Sequence, residues 1–385
     1  MMDKIKLPKF KPESDLKFSQ VVKKLRYCRN VSPSEISLHE LSKVLYAIQG
    51  VSGGSFWVKA RTIPSAGATY PLDVYVEPYC REVKKGLYRY SSTSERISEL
   101  NPEEARENNI SRIYIHAVFA RTTRRYGSRG EHYVLMEVGH AIQNALLEAT
   151  LLNLGFSYSL NLDDLSRSLK EGREPLVILE LGSYTSKPSM SYEVSSLRDK
   201  AMKLKISALH ELTLEEVILK RRSIRKYSSP TLSLEELSYV LYYSSGRVWA
   251  EDRPYAPPQN TYHLDIYVVV GGIEGLAPGI YLYNDKENSL VLVREGDHRR
   301  ELYKACLGQD WILEAPASIV LASKPGDERW YLDVETGMIG QNVYLAATSI
   351  GLGTVAVGAF YDDEVAQVLR VDKVPLYVMP LGRLG

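Results

Sequence analysis

The stretch SLHELSKVLYAIQG, Ser37 to Gly50, recurs as SLEELSYVLYYSSG from Ser233 to Gly246, with nine of fourteen positions identical. Both copies open on Ser-x-x-Glu. That is a capping box, in which a hydroxyl and a carboxylate satisfy the free N–H groups at a helix start. The repetition continues outward in order. TYPLDVYV from Thr69 matches TYHLDIYV from Thr261 at six of eight positions, and GLYRY at Gly86 matches GIYLY at Gly279. EVGHAIQN at Glu137 pairs with ETGMIGQN at Glu335, and PLVILELG from Pro175 with PLYVMPLG from Pro375. The offset drifts only from 192 to 200. Chance similarity does not keep order and spacing together, so the chain is a duplication.

Each half reads as α+β. A capped helix leads to an alternating strand at Asp73 or Asp265, then to a Gly-x-Tyr-x-Tyr strand. In the first half a long helix follows, with Val138, Ala141, Ile142, Ala145, Leu146 and Ala149 on one stripe. Each half closes on an apolar strand ending at Gly182 or Gly382. The expected organisation is an N-terminal extension over 1–20, a first repeat over 21–183, a linker over 184–210 and a second repeat over 211–385. The polar linker is expected to be partly helical after Val194. Two like units in one polypeptide amount to a covalent version of a symmetric dimer, an intramolecular pseudo-dimer.

The bulk numbers exclude several classes. A chain of 385 residues with 44% hydrophobic content supports two ordinary domains. Lys plus Arg number 48 against 47 for Asp plus Glu, which gives no basis for nucleic acid or a membrane surface as partner. Cys28, Cys80 and Cys306 lie far apart without a Cys-x-x-Cys pair, which argues against a disulfide framework or a zinc site. The opening MMDKIKLPKFKPES is charged and proline-broken, and no apolar run approaches the length of a membrane span. A cytoplasmic protein is expected.

Candidate functional residues stand where the two copies differ. The second half has LTLEEVILKRRSIRKY, in which Thr213-x-x-Glu216 caps a helix running into Arg221, Arg222, Ser223 and Arg225. The matching LRYCR of the first half puts Tyr27 in the place of Ser223. Arginines with a hydroxyl can hold a phosphate by bidentate, charge-assisted bonds. Taken alone, the same residues also read as a solvated basic helix end. SIGLGTVAVGAF, Ser349 to Phe360, stands against NLGFSYSLN from Asn153, and its glycines leave main chain uncovered where a planar ring could approach. Such a turn also serves as a plain helix cap. Arg383 takes the place of Ser183. In the opposite sense, the small residues Pro64, Ser65, Ala66 and Gly67 belong to the first half, while Pro257-Pro258-Gln259-Asn260 holds their place in the second. One half would carry an anion grip and the other a flat floor.

RRSIRKY, PSAGATYPLDVYV, GLYRY, YGSRGEHYVLMEVGHAIQNALLEA and GLGTVAVGAF…PLG resemble, in their order, the motifs of the nitroreductase family of flavoproteins. The similarity is greatest to its SagB-type branch, the azoline-oxidising dehydrogenases, and it covers both halves. The resemblance implies a nitroreductase-like fold with FMN held where two subunits, here two repeats, embrace. Arg221, Arg222, Ser223 and Arg383 would hold phosphate and ribityl chain, and Arg225 would lie near N1 and O2 of the ring. Leu352, Gly353, Thr354 and Val355 would offer main-chain contacts near N5 and O4. Pro64, Ser65, Ala66 and Gly67 would complete the pocket from the other half. NAD(P)H and a small organic substrate would use the flavin in turn, and no metal is implied. The branch carries a Lys-Tyr pair, proposed as base and acid. Here the pair is Arg125-Tyr126, and arginine stays protonated, so only Tyr126 keeps a plain proton-donor role. The natural substrate and any further association into a homodimer stay open. So does a different class of function, a flavin-free scaffold subunit of a peptide-modifying complex.

Overall fold

Both capping boxes form. Glu40 N–H donates to Ser37 Oγ at 3.2 Å and Ser37 N–H to Glu40 Oε2 at 2.7 Å, starting helix α1 (Leu38–Gln49). Ser233 and Glu236 repeat the arrangement with the same backbone angles, φ −76° and ψ 156°. The computed structural model describes residues 4–54, 59–101, 109–161, 175–192, 201–326 and 328–385. Its chain divides into two compact units. The first comprises Met1–Leu16, Lys24–Ser189 and Leu214–Leu219, the second Lys17–Lys23, Met190–Thr213 and Lys220–Gly385. Each unit therefore includes one short helical segment from the opposite half of the sequence.

The first unit is built on an antiparallel sheet of strands β1 (Lys4–Lys6), β2 (Leu72–Glu77), β3 (Leu87–Ser91), β4 (Arg96–Asn101), β5 (Ser111–Ala117), β6 (Gly155–Leu160) and β7 (Val177–Gly182). Their spatial order is β1-β4-β3-β2-β5-β7-β6. Helices α2 (Ala120–Tyr126) and α3 (Arg129–Leu151) lie between β5 and β6 in the chain. The apolar stripe of α3 is buried throughout, from Val138 to Ala149, and packs against α1. Asn144 Nδ2 donates to the Ala47 carbonyl at 2.8 Å, which ties the two helices at a buried polar point.

The second unit repeats this with β8 (Ala201–Lys203), β9 (Asp265–Val270), β10 (Gly279–Asn284), β11 (Ser289–Glu295), β12 (Ala317–Ser323), β13 (Leu352–Thr354) and β14 (Val374–Arg383). The order β8-β11-β10-β9-β12-β14-β13 is the same strand for strand. Helices α4 (Leu234–Ser245) and α5 (Arg329–Ser349) stand for α1 and α3, and Asn342 Nδ2 donates to the Pro254 carbonyl at 3.0 Å.

Three features depart from the expected pattern. Lys4–Lys6, in the stretch expected as an extension, and Ala201–Lys203, in the expected linker, each form the first edge strand of a sheet. The helix expected after Val194 lies partly outside the described residues, and Ala201–Lys203, where it would extend, is strand. The sheets also differ in burial. Strand β2 alternates buried and half-buried positions, whereas β9 is buried at every residue. Helices Arg299–Ala305, Asp310–Glu314 and Asp362–Leu369 bring Leu302, Ile312 and Val365 into one core cluster with Tyr267, Val269 and Leu282 of the second sheet. Among the described residues no helix is long and apolar enough to cross a membrane.

Candidate functional site

The second unit gathers three separate motifs on one sheet edge. Helix Leu214–Lys220 stops before the arginines, so Arg221 to Arg225 are not a helix end but an extended strand-like stretch. The reason is pairing: Ser223 forms a parallel bridge with Thr354, and Ile224 N–H donates to the Thr354 carbonyl at 2.8 Å. Strand β13 pairs in turn with β14, setting Leu352 opposite Arg383 and Gly353 opposite Gly382. The arginine run, the glycine turn and the last arginine are thus neighbours.

Side chains at this edge are fixed from within the unit. Arg221 is buried with its guanidinium 5.0 Å from the centre of the Tyr344 ring. The Tyr344 hydroxyl shares a 3.0 Å hydrogen bond with Ser223 and accepts the Ala356 N–H at 2.8 Å. Arg222 Nη1 donates to the Arg221 carbonyl at 2.7 Å, and exposed Arg225 lies over Trp311 at 5.4 Å. Gly353 has a packing cause the sequence did not reveal: a Cβ there would come 2.8 Å from the Ile224 side chain. Val355 is buried in the core cluster, so only its main chain is available to a ligand. The Thr354 hydroxyl is buried without a hydrogen-bond partner among the described residues. Arg383 forks onto Glu236 at 2.8 and 3.0 Å, using the same carboxylate that caps α4.

The first unit fills the matching edge with rings. Tyr27 bridges Phe156 as Ser223 bridges Thr354, and Cys28 N–H donates to the Phe156 carbonyl at 2.8 Å. Phe156 and Tyr27 are buried, with Tyr158 at 6.4 and 5.7 Å from them. Burial pushes the Tyr27 phenol up to about 12.

The first unit instead brings its small-residue turn to the Arg-Tyr pair. Pro64 and Ser65 lead into a turn over Ala66–Ala68 in which Gly67 has φ +58°. Ser65 Oγ accepts the Tyr70 N–H at 2.9 Å, and the hydroxyls of Thr69 and Thr122 meet at 2.8 Å, fastening the turn to α2. A Cβ on Gly67 would stand 2.5 Å from the Tyr126 hydroxyl and 2.8 Å from Arg125 Nη1. Arg125 and Tyr126, which the resemblance sets in the place of a base and acid pair, lie on helix α2 and crowd this glycine. The copy in the second unit corrects the sequence register by one residue. Its turn Pro258–Asn260 has Gln259 at φ +57° where Gly67 has +58°, so Pro64–Gly67 corresponds to Ala256–Gln259. The left-handed turn persists and only its side chains change, at a cost of about 1–2 kcal/mol for a non-glycine residue.

One functional group went unnoticed in the sequence. Glu137 of α3 is fully buried beneath the turn and hydrogen-bonds Ser65. Burial pushes its carboxyl up to about 8, against the pull of Ser65 and Arg61. A carboxylate one turn before Ala141 on an apolar stripe, repeated as Glu335, was the available signal. The folded state therefore holds a proton that the unfolded chain releases above its ordinary value of 4.5. Stability from this group is full below that value and is lost as pH rises toward about 8. Glu137→Gln is expected to flatten the fall in melting temperature across this range. Parallel curves for variant and parent would assign the titration to another group.

A duplicated α+β protein with one arginine-lined sheet edge is the class that fold and site define. The nitroreductase family matches residues 22–171 and 218–383, and the chain belongs to that family of oxidoreductases. MJ1384 of Methanocaldococcus jannaschii, named as a candidate nitroreductase, is 39% identical over 191 residues, covering 47% of this chain and 96% of its own. TfxC, a trifolitoxin operon protein of Rhizobium leguminosarum bv. trifolii, is 24% identical over 283 residues, 64% of this chain and 79% of its own. The crystal structure of a candidate nitroreductase from Anabaena variabilis shares the fold over 99% of this chain and 94% of that one, with TM-score 0.72 and 22% identity.

Proposed function

We propose that the chain is a cytoplasmic FMN-dependent oxidoreductase of the SagB-type branch, using NAD(P)H and a small nitro, quinone or azoline compound. The observation that carries this reading is the shared edge of Arg221–Arg225, Gly353–Thr354 and Arg383. The residues there fit a phosphorylated flavin: a buried guanidinium, the Ser223 and Thr354 hydroxyls and extended main chain converge, and the Thr354 hydroxyl is buried without a hydrogen-bond partner among the described residues. Bound FMN would supply the hydride chemistry. Arg221, Arg222 and Ser223 hold the phosphate and ribityl chain, and Arg225 offers positive charge to the ring. Leu352 to Val355 contribute main-chain groups. Arg383 contributes only by sharing or leaving Glu236, so its part is the weakest of the set.

Pro64, Ser65, Ala66 and Gly67 support the ring, and Tyr126 donates a proton while Arg125 remains a fixed cation. The similarity to TfxC, an operon protein of a toxin, supports the SagB-type placement. Purified protein is expected to be yellow with a single FMN per chain, and a screen of nitroaromatics, quinones and thiazoline peptides separates the substrate classes. Colourless protein that refuses added FMN would leave the flavin-free scaffold reading in its place. Gly67→Leu must push aside Tyr126 and Arg125 and is expected to lower flavin content several-fold in folded protein. Unchanged flavin content would remove the small-residue turn from the site.

A further inference from the structure

Glu137 and Glu335 hold the same place on α3 and α5, yet their hydrogen bonds differ. Asn144 and Asn342 fix the register, since their Nδ2 groups donate to the Thr62 and Pro254 carbonyls at 3.5 and 3.0 Å. By that register Ile63 corresponds to Tyr255 and Pro71 to His263. In the second unit Glu335 is buried, and its Oε1 accepts the Tyr255 hydroxyl at 2.9 Å. The His263 N–H is shared between both Glu335 oxygens at 3.3 and 3.2 Å. Burial raises the Glu335 carboxyl, and these two donors pull it back by favouring its charged form. Ile63 has no hydroxyl and Pro71 no N–H, so neither donor exists in the first unit. Glu137, also buried, bonds instead to Ser65 of the small-residue turn.

A serine hydroxyl has one hydrogen to give and two lone pairs to offer. One lone pair of Ser65 Oγ accepts the Tyr70 N–H at 2.9 Å. When Glu137 carries its proton, its buried O–H needs an acceptor, and the second lone pair of Ser65 provides it. Both lone pairs are then filled. The Ser65 hydrogen is left for an acceptor beyond the turn, on which Ser65 is only half-buried. An ionised Glu137 can only accept, and takes that hydrogen for itself.

From this we infer that Glu137 is a positioning residue whose proton turns Ser65 outward as a hydrogen-bond donor to an acceptor atom of the ligand on the turn. The inference rests on the flavin reading above. The acceptor belongs either to the flavin ring or to a quinone or nitro substrate, which present the same carbonyl-like oxygen chemistry. Among the described residues Arg61 is the charged group that faces Glu137, with Tyr70, Tyr90 and Arg121 around it. His140 lies one turn further along α3. Burial holds the Glu137 proton up to about pH 8, while the Arg61 charge favours its release above that.

The full chain, stripped of flavin and titrated with FMN between about pH 7 and 9, tests the ring as acceptor by fluorescence quenching. The KM for menadione on FMN-loaded protein over the same range tests the substrate. In one arm or the other the parent is expected to weaken about threefold to tenfold as pH rises. Glu137→Gln keeps an N–H for Ser65 at every pH, so it should stay at the parent's low-pH level throughout. Ser65→Ala has no hydrogen to give and should stay at the parent's high-pH level. That second variant carries the test if Glu137→Gln fails to fold. A response in FMN affinity assigns the acceptor to the ring, and a response in KM alone assigns it to the substrate. A parent indifferent to pH in both arms, or variants that follow the parent's fall, overturns the inference and leaves the flavin reading standing. Protein that takes up no FMN at any pH removes the flavin reading and this inference with it.

Discussion

Lys43→Met is expected to cost the first unit about 3–5 kcal/mol, read as a lower urea midpoint by circular dichroism. Lys43 is buried on α1, with its ammonium 2.7 Å from Glu215 Oε1 and 2.7 Å from Glu13 Oε2. Glu215 is fully buried and its other oxygen accepts the Glu13 and Ser14 N–H groups at 2.6 and 2.8 Å. Glu148 is buried nearby, and burial and then the charge of Glu215 push its carboxyl well above the usual range. Removing this cation leaves the buried Glu215 carboxylate without its ammonium partner, beside the Glu148 carboxyl already pushed up by burial. The second copy of the unit avoids the problem, since Tyr239 replaces Lys43 and, with Ser19, donates to Glu211 at 2.7 and 2.8 Å. Lys43→Met combined with Glu215→Gln should recover much of the loss, because the uncompensated charge goes too. A loss below about 1 kcal/mol for the single variant would mean that water reaches the pair as at a surface.

The second large effect concerns flavin. Arg222→Ala with Arg225→Ala is expected to give folded but colourless protein. Each arginine contact to a phosphate or anionic ring contributes about 1.5–3 kcal/mol, so losing two lowers affinity by about 10²–10⁴. Arg222 donates to the neighbouring Arg221 carbonyl and Arg225 lies exposed over Trp311, and far-UV circular dichroism matching the parent checks that the double variant folds. Lys226→Ala removes a neighbouring exposed cation outside the proposed grip and should retain colour. FMN released by denaturation and measured against protein concentration decides the matter. Full flavin content in the double variant would separate the phosphate from the arginine run. Equal loss in Lys226→Ala would make the effect one of general charge.

Repetition and local periodicity made much of this protein legible from its residues. Two Ser-x-x-Glu starts, two alternating strands and two long helices in one order specify two like α+β units, because a capping box or an apolar stripe is decided within a few residues. The arginine run, the glycine turn and Pro64–Gly67 were visible as differences between the copies. Folding alone set the rest. The three-residue strands Lys4–Lys6 and Ala201–Lys203 are too short to show alternation, and their partners on β4 and β11 lie far along the chain. The extended course of Arg221–Arg225 depends on Thr354, which overrode the helical reading. Gly67 meets Arg125 and Tyr126, and Arg383 meets Glu236, only through side chains that no spacing relates. Glu137 owes its raised carboxyl to burial, a property of packing that a residue type does not carry. The sequence by itself determined the duplication and its local elements, since those rest on neighbours in the chain. The tertiary structure decided which of the scattered polar residues become a site, since burial and approach depend on contacts between distant segments.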